Sequence, residues 1–85
     1  MTIAELAEAL TAARVDPDRY SLAGGLPNDA YCLERLGSKS WRIYYSERGS
    51  RFNEEFLITE DDACRRLLSI LLAEPSVRLR PDSHE

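Results

Sequence analysis

The chain has 85 residues, 15 Asp and Glu against 11 Lys and Arg, and a formal net charge of −4 at pH 7. That length admits one domain with one modest core, and the balance of 44% apolar to 31% charged residues argues against disorder. The longest apolar run, Ile70-Leu71-Leu72-Ala73, is far short of the roughly 20 residues a membrane-spanning helix needs, and Glu5 and Glu8 break any leader-like apolar stretch, so neither a membrane span nor a signal peptide is expected.

In chain order, Thr2 and Glu5 have the spacing of a capping box, and Ile3, Leu6, Ala7, Leu10 and Ala13 follow at helical intervals. A first helix therefore runs to about Arg14, where Val15-Asp16-Pro17-Asp18 is turn chemistry. Arg19 to Leu22 is a short strand candidate, stopped by the loop Ala23-Gly24-Gly25-Leu26-Pro27-Asn28-Asp29. Ala30 to Leu36, Trp41 to Glu47 and Arg51 to Thr59 read as strands, with Trp41 to Glu47 the richest in aromatic and β-branched residues. The compact breaks Gly37-Ser38-Lys39-Ser40 and Arg48-Gly49-Ser50 separate them.

Thr59 is placed to cap a second helix whose first turn is Glu60-Asp61-Asp62, where the helix dipole favours negative charge. Ala63, Cys64, Leu67, Leu68, Leu71 and Leu72 form its apolar stripe, and Pro75 ends it. The expected fold is α+β: an N-terminal helix, a three- to four-stranded antiparallel meander sheet and a C-terminal helix, both helices on one sheet face. Residues 1–76 make the single domain, and residues 77–85 a flexible C-terminal tail. Alternation assigns Trp41, Ile43 and Tyr45 to the core and Arg42, Tyr44 and Ser46 to the open face.

No catalytic set suggests itself. The lone histidine, His84, is next to last, which leaves Cys and Ser without a nearby base. Glu60, Asp61 and Asp62 occupy consecutive helical positions and diverge, so they do not converge on a metal ion, and Gly24-Gly25 lacks the Lys of a phosphate loop. Glu54 and Glu55 point to opposite faces of a strand rather than forming an acid/base pair. Cys32 and Cys64 are too few for a disulfide framework and read as reduced, buried thiols, which points to the cytoplasm. The expectation is a non-enzyme with no metal and no cofactor. Helix, strands and helix is also the order of a double-stranded RNA-binding domain, but the acidic start of the second helix lies where phosphate contacts would be, so no direct nucleic-acid binding is expected.

Recognition chemistry is more visible. Tyr44, Glu47 and Arg48 combine large contact area with hydrogen-bonding capacity at one hairpin. The frame Tyr20-Ser21-Leu22-x-Gly24-Gly25, Ala30-Tyr31-Cys32-Leu33, Trp41-x-Ile43-Tyr44-Tyr45-Ser46-Glu47-Arg48-Gly49, then Phe56 with Thr59-Glu60-x-x-Ala63-Cys64 resembles small stand-alone bacterial immunity proteins of polymorphic and contact-dependent toxin systems. The resemblance spans about residues 20–72 and implies a cytoplasmic protein that binds and neutralises a cognate toxin domain, a nuclease or another effector. An acidic patch suits a basic toxin groove. Glu34, Glu47, Glu54, Glu55, Glu60, Asp61 and Asp62 can supply it, and the expected partner-binding set is Glu34, Arg42, Tyr44, Glu47, Arg48, Glu54 and Glu55. An adaptor, regulatory subunit or secretion chaperone for another protein is the alternative, and either a monomer or a homodimer is compatible with an open sheet face.

Overall fold

The computed structural model describes residues 1–79; His84 and the rest of the expected tail beyond Leu79 lie outside the described residues. Helix α1 (Ile3–Ala12) opens on the expected box: Thr2 Oγ1 accepts from the Glu5 amide at 3.2 Å, and Glu5 Oε1 accepts from the Thr2 amide at 2.8 Å. A 3-10 turn at Pro17–Arg19 leads into β1 (Tyr20–Ser21), then β2 (Ala30–Gly37), β3 (Ser40–Glu47) and β4 (Ser50–Leu57). Helix α2 (Glu60–Leu72) starts where Thr59 accepts from the Asp62 amide at 3.0 Å, and a second 3-10 turn follows at Pro75–Val77. No helix among the described residues is long and apolar enough to cross a membrane.

The four strands form one sheet in the order β1-β2-β3-β4. β2, β3 and β4 pair antiparallel, but β1 pairs parallel to β2, Tyr20 beside Tyr31 and Ser21 beside Cys32, so the sheet is mixed rather than antiparallel throughout. The loop between β1 and β2 is the reason. Instead of turning tightly as a hairpin, it doubles back through Gly24 and Gly25 at φ +74° and +85°, a region L side chains seldom adopt, and re-enters the sheet in its original direction. Three hydrogen bonds hold the reversal: Ser21 Oγ donates to the Gly24 carbonyl at 2.8 Å, the Gly24 amide to the Leu33 carbonyl at 3.0 Å, and Tyr44 Oη to the Gly25 carbonyl at 2.6 Å.

One apolar cluster joins Leu6 and Leu10 of α1, Ala63, Cys64, Leu67 and Leu71 of α2, and Leu33, Trp41 and Ile43 of the sheet. α2 lies over β2 and β3 and only brushes β4, while α1 packs along α2. The two helix starts are also tied directly, since the Ile3 amide donates to Glu60 Oε2 at 2.8 Å.

Val77, placed by the sequence pattern in the flexible tail, is instead 3% exposed and part of the core. Val15 and Arg78 form an isolated antiparallel bridge, flanked by the Asp16 amide on the Val77 carbonyl and the Leu79 amide on the Arg14 carbonyl, each at 2.7 Å. The packed unit therefore extends through Leu79. A β-branched residue two positions after Pro75 has an apolar seat to fill, and the last helix turn delivers it there.

Candidate functional site

The sheet face turned away from α2 carries Cys32 and Glu34 from β2, Arg42, Tyr44 and Ser46 from β3, and Glu54 and Phe56 from β4. It divides into a roofed half and an open half. In the roofed half the β1–β2 loop covers the sheet, and Tyr44 is 1% exposed although alternation had assigned it to open solvent. Its parity is as expected; its exposure is not, because the loop lies over it and takes its hydroxyl hydrogen bond. The Arg42 and Arg51 guanidiniums lie 5.3 and 5.2 Å from its ring centre, within cation–π range. Burial pushes the Tyr44 phenol and the Cys32 thiol up, so both stay protonated at neutral pH. Cys64 is likewise a buried free thiol, raised by the same cause.

Arg42 organises the open half. Its guanidinium bonds Glu34 through Nε and Nη2, and reaches Glu54 through Nη1 at 3.3 Å. The bonds to Glu34 are the first cause of the raised Arg42 pKa. Three strands thus present one half-buried cation between two carboxylates, a rigid group whose donors are largely spent internally. Beside it stand Phe56, 63% exposed and paired across the strands with Arg42, and Ile58, 70% exposed just beyond β4. The pairing of Arg35 and Leu57 with Trp41 brings exposed Leu36 and Ile58 to this same end of the sheet. The result is an exposed apolar margin at one end of the sheet, beside a charged centre held on three strands.

Of the expected partner-binding residues, Glu34, Arg42 and Glu54 meet in this one cluster, with Tyr44 beneath the loop beside it. Glu47 and Arg48 sit at the far hairpin, where Arg48 and Gly49 take the positive φ values of a type I′ turn and the Arg48 amide donates to Asn28 Oδ1 at 3.1 Å. Glu55 is on the helix side of the sheet. Arg66 of α2 grips both its oxygens at 2.9 and 3.0 Å, and that pairing holds its carboxyl below the usual glutamate range. Asp61 is held low as well, first by the Met1 ammonium and then by Arg65, which occupies the acidic helix start internally.

No family model, curated protein or solved structure matches the chain. The site therefore rests on its own geometry. The sequence does not single out Phe56, Ile58 and Leu36 as surface residues, because alternation assigns faces clearly only over Trp41–Ser46. The signal was present in β4: Phe52-Asn53-Glu54-Glu55-Phe56-Leu57-Ile58 does not alternate cleanly, and the register shifts between Ile43 and Tyr45, opposite Asn53 at φ +56°. No group of three or more His, Cys, Asp or Glu side chains among the described residues is arranged to hold a metal ion.

Proposed function

We propose that the chain is a non-catalytic immunity protein of the cytoplasm, which binds and neutralises a cognate bacterial toxin domain by direct protein–protein contact. The observation that carries the reading is the open half of the outer sheet face: Phe56 on the edge strand β4 and Ile58 just beyond it stand exposed beside the internally paired Glu34–Arg42–Glu54 group. Exposed apolar side chains at a rigid edge bring contact area at little conformational cost, and a charged centre beside them fixes register and rejects mismatched partners. The frame from Tyr20 to Leu72 that resembles immunity proteins supports the same reading.

The test is co-expression with the protein encoded next to this chain, scoring cell survival and co-purification together. Survival with a stoichiometric complex, both abolished by Phe56→Asp with Ile58→Asp in a chain that still folds, is the expected result. A complex without protection would favour the adaptor alternative. Neither protection nor complex would end the immunity reading.

A further inference from the structure

The helix side of the sheet is incompletely roofed. Beside the Glu55–Arg66 contact between β4 and α2, Tyr31, Ile43 and Tyr45 on the sheet face Arg66 and Ile70 on the helix across a cleft of about 400 Å³. Past the shared walls Tyr31, Tyr45 and Asn53 it continues into a recess of about 190 Å³ bounded by Arg19, Asp29 and Glu74. Tyr31 and Tyr45 meet edge to face, ring centres 4.9 Å apart at 61°, forming an aromatic corner between the two volumes. Tyr45 Oη donates to Asp29 Oδ1 at 3.4 Å, which draws electron density toward its ring and strengthens the negative π face.

The charges of this cleft are unevenly spent. Glu55 and Arg66 neutralise each other through two hydrogen bonds. Glu74 receives Ser76 Oγ at 3.1 Å, and Asp29 receives Tyr45, both from neutral donors. Two carboxylates therefore stand beside two aromatic rings with no cation bonded to them among the described residues. Arg19, which forms no ion pair among the described residues, lines the same recess, so its walls set two carboxylates against one guanidinium, and the net single negative charge suits one cation.

We propose that this cleft receives one arginine side chain of a protein partner, its guanidinium plane stacked on one ring of the Tyr31–Tyr45 corner and its N–H fork toward Asp29 and Glu74. Arginine fits better than lysine because a planar group stacks on a ring while offering paired donors to carboxylates, whereas an ammonium presents a compact, strongly hydrated point charge. The site lies on the opposite side of the sheet from Phe56 and requires only that the partner expose an arginine, whether or not that partner is a toxin.

The experiment is an NMR titration of the whole chain with N-acetyl-L-argininamide, N-acetyl-L-lysinamide and the neutral N-acetyl-L-glutaminamide, following the ring signals of Tyr31 and Tyr45. The expected result is saturable shifts with the arginine probe, with a dissociation constant on the order of millimolar for a lone side chain. Lysine should bind more weakly, and glutamine should give no saturation. Asp29→Asn with Glu74→Gln should weaken arginine binding by about tenfold or more. Asparagine accepts the φ of +55° that Asp29 adopts, so this variant keeps the loop. Phe56→Asp should leave the titration unchanged, which separates this site from the partner surface above. Non-saturating shifts, equal binding of glutamine or lysine, or indifference to the double variant would each overturn the assignment.

Discussion

Tyr44 shows how one side chain can close a sheet face. It is fully buried, it donates to the Gly25 carbonyl at 2.6 Å, and two guanidiniums flank its ring. Tyr44→Phe removes the hydroxyl but keeps the ring, and because Gly25 is exposed, water can replace the donor. The expected loss is about 1 kcal/mol. Tyr44→Ala removes the ring and should cost about 3–5 kcal/mol, enough to unfold much of a domain this small. Urea denaturation of the two variants separates these outcomes. Gly24 is the other decisive residue: at φ +74° an added Cβ is strained, and it would lie 3.0 Å from Glu34 Cγ. Glu34 can yield a few tenths of an ångström, so backbone strain sets the cost, and Gly24→Ala should lower stability by about 1–2 kcal/mol. Its heteronuclear NMR spectrum should also show the Arg42 side-chain signals moving, because Glu34 is Arg42's main partner.

At the scale of elements, the β4–α2 contact is held by the Glu55–Arg66 pair. Arg66 keeps the folded-state pKa of Glu55 below that of the unfolded chain, so the folded protein binds fewer protons there. The stabilisation is present above the ordinary glutamate value of about 4.3 and disappears as pH falls through the lower folded value. Both partners are well exposed, which limits the pair to about 0–1 kcal/mol. Thermal melts of Glu55→Gln and the parent chain should differ slightly at neutral pH and converge in acid. Both helices were legible in the sequence because caps and stripes are local: Thr2 with Glu5 and Thr59 with Asp62 mark the starts, and Leu6, Leu10, Leu67 and Leu71 mark the buried sides. The hairpins at Gly37–Ser40 and Arg48–Gly49 were legible for the same reason. The parallel β1 was not, since two residues carry no periodicity and the direction of the strand depends on where Gly24 and Gly25 send the chain. The open site was half legible. Alternation puts Arg42, Tyr44 and Ser46 on one face, but cannot show that the strand register brings Glu34 beside Arg42 or that a loop roofs Tyr44 and leaves Phe56 bare.

The whole molecule is closed by residues 77–79. Burying the Val77 side chain stabilises by about 1.5–3 kcal/mol, and the backbone bonds at Arg14, Asp16 and Leu79 add to that. A chain ending at Ser76 should therefore melt lower than one ending at Leu79, a comparison that differential scanning calorimetry makes directly. The bridge between Val15 and Arg78 has a kinetic side too. It joins residues at nearly opposite ends of the described chain, whereas the hairpins need only short loops to close. Closing the longest loop is entropically the slowest to be rewarded, so the hairpins and α2 should assemble first and this bridge last. Weakening it by Val77→Ala should then accelerate unfolding several-fold while leaving the refolding rate nearly unchanged, as expected for a contact absent from the transition state. The clasp would set how long the native state survives rather than how quickly it is reached.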